Sequence, residues 1–198
     1  MDPPELLAAG SIDPAAVAAV DLSSVSAMTE WHANGRYFLG APGREHYRLL
    51  SYLAARMPPG SRVVDVGTYL GFSALALSTG AALVDSYDIM DCISPPSVAD
   101  PTVKQRANVT LHVPRSCFDD MPRIMQSPFI VLDVDPHDGV QERRFFDMLE
   151  AAGYRGHVLC DDIHLNEDMR AFWEGVTQPK VDLTHVGHWS GTGLVAFR

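Results

Sequence analysis

This sequence predicts a doubly wound α/β fold: a mostly parallel, seven-stranded sheet, covered on both faces, with an antiparallel C-terminal hairpin. Three observations carry the prediction. From residue 61 onward, short apolar runs bounded by turn residues alternate with stretches of helical periodicity. The most apolar of those runs, FIVLDVD at 129–135, reads as a strand buried on both faces and hence as the centre of the sheet. At the C-terminal end VDLTHVG and TGLVAFR are strand-like and joined by HWSG, the pattern of a hairpin.

The elements follow in chain order. Residues 1–42 are rich in Ala, Pro and Ser, with short helices expected from Pro3 and Pro14, where proline suits a first helical turn. They are expected to form an appendage: a lid, a packing arm or the contact of a homodimer. The rest, 43–198, is expected to be one domain. Tyr47, Leu50, Leu53, Ala54 and Met57 recur at helical spacing and predict a helix over 43–57, stopped by Pro58-Pro59-Gly60. SRVVDVG (61–67) is the first strand, FSALALSTG (72–80) a helix closed by Gly80, and AALVDSYDI (81–89) and VTLHV (109–113) the next strands. Val140, Phe145, Met148 and Leu149 mark a helix over 138–153, closed by Gly153. HVLCDD (157–162) is a strand, followed by an amphipathic helix that starts near Ile163 and carries Met169, Phe172, Trp173 and Val176; the Phe172-Trp173 pair reads as core.

Composition removes several classes of function. The chain has 198 residues, 46% hydrophobic and 20% charged, which supplies a full core and excludes a disordered chain. Twenty-five Asp and Glu against 15 Lys and Arg give a net charge of −10. The basic residues are scattered, with Arg143-Arg144 their densest pair, so nothing offsets repulsion from a phosphate backbone and nucleic acid is not an expected partner. No apolar run reaches the roughly 18–20 residues that span a bilayer, and MDPPELLAAG has neither the basic nor the apolar region of a secretory signal. Cys92, Cys117 and Cys160 are odd in number and far apart, which fits reduced thiols better than disulfides or structural zinc. A cytoplasmic location is the expectation.

VVDVGTYLGFSAL (63–75) is the most informative stretch. A buried strand runs into Gly67, the chain turns, and a helix opens after Gly71. Glycine at such a turn permits unusual φ and lets a ligand approach the backbone, while the helix start favours an anion. Ligands of open α/β sheets sit at the carboxyl ends of the strands, where the strand order reverses. Asp88 ends the second strand 21 residues past Gly67, about where a doubly wound fold places the acid that accepts ribose hydroxyls. Thr68 and Tyr69 directly after Gly67 make the loop a poor cradle for the pyrophosphate of a dinucleotide. The plainer alternative is a tight turn with Asp88 as a solvated acid.

DVGTYLGFSAL resembles motif I of class I S-adenosylmethionine-dependent methyltransferases, above all the small catechol and caffeoyl-CoA O-methyltransferase branch, and the resemblance spans about 43–198. It implies a Rossmann-like sheet with an added terminal hairpin. It implies that Asp65, Gly67, Thr68, Tyr69 and Gly71 hold the amino-acid end of S-adenosylmethionine, with Tyr69 near the sulfonium. Ser73 would bind the carboxylate, Asp88 the ribose, and Ser116 and Cys117 the adenine.

LDVDPHDG (132–139) and CDDIHLN (160–166) each begin at the carboxyl end of neighbouring strands, which brings Asp133, Asp135, His137, Asp161, Asp162 and His164 to the cofactor side. So many acids repel one another unless a divalent cation, a cationic ligand or protonation relieves them. The resemblance implies the first: Asp133, Asp161 and Asp162 stand where the metal-dependent enzymes hold Mg²⁺ or another divalent cation. Two departures stand out, Asp162 in place of an asparagine and Pro136 in place of a catalytic lysine. His137, one residue on, is the expected general base, acting beside Asp133. In the plainer reading Asp161 or Asp162 caps the following helix and the histidines satisfy carbonyls. His185, His188 and Trp189 are read first as fixing the hairpin turn, and alternatively as a substrate wall.

The expected activity is therefore methyl transfer to a small hydroxylated acceptor. The competing readings are a nicotinamide-dependent oxidoreductase, disfavoured by the loop, and a protein that binds S-adenosylmethionine without catalysis.

Overall fold

A computed structural model describes residues 12–198, so the helix expected at Pro3 lies outside the described residues. The helix expected at Pro14 is present: α1 spans Pro14–Ala18, and the Asp13 carboxylate accepts from the Ala15 N–H at its start. A short α2 (Ser23–Ser26) follows. The first long helix, α3 (Tyr47–Ala54), is shorter than the 43–57 periodicity predicts. Gly43 is left-handed at φ +91° and His46 is non-helical, which delays the start.

The βα alternation then appears as predicted, with strands β1 (Arg62–Val66), β2 (Leu83–Tyr87), β3 (Val109–His112), β4 (Phe129–Leu132), β5 (Gly156–Asp161), β6 (Lys180–Asp182) and β7 (Thr192–Phe197). Between them lie α4 (Phe72–Leu77), α5 (Met121–Ile124), α6 (Val140–Ala151) and α7 (Glu167–Gly175). The sheet has seven strands in the order β3-β2-β1-β4-β5-β7-β6, so β4 is central, as its apolar run predicts. β1 to β5 are parallel; β7 pairs antiparallel with both β5 and β6. The hairpin therefore folds back into the sheet: β7 inserts beside β5, and β6 becomes the outer edge.

Strand alternation sends side chains to two separate cores. Val63, Val131 and Leu159 face α3 and α4, while Val64, Val66, Ile130 and Leu132 face α6 and α7. The segment before α3 joins the first core through the fully buried Val17, Leu22 and Phe38, so within the described residues it packs as an arm over α3 and α4. On the other face Phe145, Phe146, Phe172 and Trp173 are buried, the last two as their spacing predicts. Asp85, fully buried in β2, is held by Arg62, His112 and Arg123, which satisfies an acid that the core could not otherwise hold.

The strand order reverses between β1 and β4, whose ends pair Val66 with Leu132. There Gly67 (φ +89°) passes so close to β4 that a methyl group on it would lie 1.5 Å from the Asp133 carbonyl oxygen. Gly60 is also left-handed (φ +72°) but faces open space. This pair separates steric from conformational cost. Gly60→Ala is expected to lose about 1 kcal/mol. Gly67→Ala is expected to lose at least about 3 kcal/mol or to fail to fold. Urea denaturation of the two variants beside the wild type measures the difference.

Candidate functional site

The carboxyl ends of β1, β2, β4 and β5 open into a cavity of about 540 Å³. Gly67, Tyr69 and Asp88 form one wall, and the 115–118 turn with Arg144 and Phe145 closes that end. Asp133, Asp135, His137, Asp161 and Asp162 form the other wall, joined by Glu45 and His188 from distant parts of the chain.

At the glycine-loop end the backbone organises the site. The Asp88 carboxylate accepts from the Tyr69 N–H (2.7 Å) and the Met90 N–H (2.9 Å), so it is held rigidly at the cavity wall and each oxygen keeps a free lone pair. Gly67, Tyr69, Asp88, Ser116 and Cys117, all predicted from the sequence, line the cavity. Cys117 is buried, and that burial pushes its thiol up to about 11. It is a packing surface rather than a nucleophile at neutral pH. Arg144 lies over the Phe118 ring at 4.0 Å.

Four predicted residues are not at the cavity wall. Asp65 is buried beneath the loop, where it accepts from the Ser73 (3.0 Å) and Ser86 (2.8 Å) hydroxyls. Burial holds its carboxyl above the usual carboxylate range, against those hydrogen bonds. Ser73 is thus committed to Asp65, and Thr68 and Gly71 are joined by the Gly71 N–H to Thr68 carbonyl bond (2.7 Å) that closes the turn. Asp65, Thr68 and Ser73 are buried beneath the loop.

The acidic end is a set of carboxylate–imidazole pairs. His46, buried at the residue before α3, places Nδ1 3.2 Å from Asp161 Oδ1, at an angle outside that of a hydrogen bond. His188 Nδ1 lies 3.4 Å from Asp162 Oδ1 and 2.5 Å from the Ser190 hydroxyl, which also contacts Asp162. His137 Nε2 lies 3.5 Å from Asp162 Oδ2 and 3.3 Å from Asp135 Oδ1. Glu45 faces His188 at 3.8 Å.

The charges move the protonation equilibria. Burial alone would lower the His46 pKa, but the Asp161 charge outweighs it and pushes the group up to about 9. Desolvation and the neighbouring Asp161 charge hold Asp133 well above the usual carboxylate range. Asp162 goes the other way: burial opposes it, but hydrogen bonds from His188 and Ser190 keep it low. His188 is raised, since its contact with Asp162 overcomes desolvation.

Several expectations need correction. Neither Asp161 nor Asp162 caps a helix: α7 begins at Glu167, and the Asn166 side chain accepts from the Met169 N–H. His164 turns away from the cavity and pairs with Asp182 at 2.7 Å on the surface. His188 is a cavity residue, not only a turn residue, whereas Trp189 is 68% exposed. Sequence reasoning also missed Glu45 and His46, which stand in no motif. They reach the site because Gly43 bridges to His188, a pairing across most of the chain that no local pattern signals.

The trio Asp133, Asp161 and Asp162 does not converge on one point. Two groups have ligand atoms within 4.8 Å of one another among the described residues, Asp133–His137–Asp162 and Asp161–Asp162–His188, and each includes an imidazole. Each group mixes carboxylate oxygens with an imidazole nitrogen, and the three acids are divided between them.

Backbone strain concentrates at the same place. Tyr69 (φ 45°), His137 (φ 56°) and Asp162 (φ 58°) are the non-glycine residues with left-handed backbone among the described residues, and all three line the cavity. Such residues cost energy and persist where the surroundings over-determine them, typically at functional sites.

Comparison with protein-family models gave no match, and neither did comparison with curated proteins. Solved structures do resemble the chain. SAH-bound methyltransferase PaMTH1 of Podospora anserina superposes with a TM-score of 0.60 at 16% identity, over 89% of this chain and 87% of that one. A methyltransferase from Geobacter sulfurreducens gives 0.57 at 17%, over 90% and 92%. Cofactor-bound Rv0187 from MTB gives 0.54 at 19%, over 100% and 98%. With the strand order and the antiparallel β7, these likenesses show the class I methyltransferase fold, Rossmann-like with its added hairpin.

The His46 shift has a consequence for stability. A folded pKa of about 9 against an unfolded value near 6.5 gives a stabilising contribution that is complete below about pH 6.5 and lost as pH rises through 9. His46→Gln is expected to cost about 3–5 kcal/mol at pH 6, because it leaves Asp161 buried without its partner. That deficit should shrink steadily between pH 6.5 and 9.5. Denaturant titrations of both proteins across the range check it; a pH-independent gap would contradict the assignment.

Proposed function

We propose that this chain is an S-adenosylmethionine-dependent methyltransferase acting on a hydroxyl oxygen of a small metabolite. One observation carries the reading: a single continuous cavity joins the Gly67 loop, with its rigidly held Asp88, to a second wall of acids and histidines. A volume of about 540 Å³ is that of an ordinary cofactor and small-molecule site. Likeness of fold to methyltransferases, one of them SAH-bound, supports it.

In this reading Asp88 accepts the ribose hydroxyls, and Gly67 lets the amino-acid portion approach the backbone. The 116–118 turn and Phe145 flank the base. S-adenosylmethionine, when bound, supplies a methyl group on a positively charged sulfur. His137 takes the acceptor's proton, and the adjacent Asp135 and Asp162 carboxylates stabilise the imidazolium so formed. Asp133, beside it on the β4 end, orients the acceptor hydroxyl. As the oxygen–carbon bond forms the carbon–sulfur bond breaks, and the cofactor leaves as a neutral thioether. The acid-rich wall favours an occupant with positive charge, which matches the sulfonium.

Calorimetry with S-adenosylhomocysteine and with NAD tests the cofactor. The expected result is binding of the former in the micromolar range and none of NAD; the reverse would overturn the reading in favour of an oxidoreductase. Asp88→Asn is expected to weaken S-adenosylhomocysteine about ten- to a hundredfold, the worth of charge-assisted hydrogen bonds. With radiolabelled S-adenosylmethionine and a panel of hydroxylated acceptors, His137→Gln should lower kcat about 10²–10⁴-fold while cofactor affinity is kept. Cofactor binding without turnover across the panel would favour a binding protein instead.

A further inference from the structure

Building on the function proposed above, we infer that Tyr87 is a positioning residue for the cofactor. Through its carbonyl and its hydroxyl it ties the Gly67 loop and the 115–120 turn to the end of β2.

Tyr87 is the last residue of β2, one before Asp88, and is 1% exposed although it lines the cavity. Its carbonyl accepts from the Gly67 N–H at 2.9 Å and from the Thr68 N–H at 3.2 Å, which holds the start of the glycine loop. Its hydroxyl donates to Asp120 Oδ2 at 2.8 Å, 33 residues further along the chain. Asp88 adds a second tie to the same turn, since its carbonyl accepts from the Arg115 N–H at 2.7 Å. One strand end thus holds the glycine loop, the acid assigned to the ribose and the turn assigned to the base.

The Asp120 contact displaces a more usual one. Asp120 stands at the N-cap position of α5, where an aspartate ordinarily accepts from a backbone N–H of the first turn. Its side chain makes no such bond; Oδ2 takes the Tyr87 hydroxyl, with Arg115 Nη1 at 3.5 Å. The Tyr87 ring is also fixed. It stacks on His112 at a centroid distance of 4.4 Å and 12° between planes, and His112 Nε2 lies 2.9 Å from the buried Asp85. The hydroxyl is therefore aimed by a held ring on a central part of the sheet.

The consequence concerns spacing. Ribose and base are joined by one bond, so Asp88 engages the first and the turn flanks the second only if the two keep a fixed separation. Supporting hydrogen bonds set such separations to a fraction of an ångström. Ser116, Cys117 and Phe118 lie at the cavity wall on the segment that Asp120 ends, so loosening Asp120 moves the base wall relative to Asp88.

The test measures S-adenosylhomocysteine affinity of the full chain at pH 7.5 by calorimetry. Tyr87→Phe and Asp120→Ala are each expected to weaken it about tenfold, and the double variant no further than either alone. Asp120→Asn keeps an acceptor for the hydroxyl and should stay within about threefold of the wild type. A contact that served stability alone would lower the urea midpoint of Tyr87→Phe and leave affinity unchanged. Asp120→Ala reads the same contact should Tyr87→Phe fail to fold. Amide exchange at Arg115 and Asp119 without ligand should quicken about tenfold or more in either variant that lacks the bond. Unchanged affinity in the folded variants, additive losses in the double variant, or unchanged exchange would each overturn the inference. Absence of S-adenosylhomocysteine binding by the wild type would overturn the proposed function instead.

Discussion

The close approach of β1 and β4 at their carboxyl ends is the constraint on which the rest depends. The Asp133 N–H donates to the Val66 carbonyl at 2.9 Å, and Gly67 turns against the Asp133 backbone with no room for a side chain. Because the sheet order reverses here, the loops after β1 and β4 diverge to opposite sides and leave a crevice between them. The Gly67 loop leads to Asp88 on one side, and Asp133 leads to Asp161 and Asp162 on the other. A bulkier residue at 67 would push the two strands apart and remove the floor shared by both walls.

Charge is the second constraint, and it is met differently at the two ends. Asp85 and Asp65 are structural acids: two arginines and a histidine satisfy the first, while two serine hydroxyls engage one oxygen of the second and leave its Oδ1 buried without a hydrogen-bond partner. The cavity acids have softer partners, imidazoles drawn from α6's leading loop, from the hairpin loop and from the segment before α3. Imidazoles can hold or release a proton near neutral pH, so the same groups that balance the acids can also move protons. Left-handed backbone at Tyr69, His137 and Asp162 concentrates backbone strain around the same cavity.

Much of the architecture was legible along the chain. Alternating runs located the strands and their helices, the apolar run at 129–135 identified the central strand, and glycine with a downstream acid marked the loop and Asp88. What spacing does not carry is contact between distant residues. Ser73 and Asp65 lie in the most diagnostic motif and bond to each other beneath the loop. His188, for which the sequence leaves a turn role and a substrate wall open, lines the cavity, and Glu45 and His46 stand in no motif. Each depends on which residues meet across long sequence separation, and spacing along a chain carries no information about that.

Sequence alone determined the periodicities, the turns and the identity of the strand ends, because these follow from local sterics and from apolar patterning within a few residues. It also determined that acids would crowd those ends. Only the tertiary structure decided what balances them. The Gly43–His188 bridge brings the pre-α3 segment against the hairpin loop, and it places His46 behind Asp161 and His188 against Asp162. A carboxylate's state is set by whatever charge lies within a few ångströms, and that distance is defined only once the chain has closed on itself.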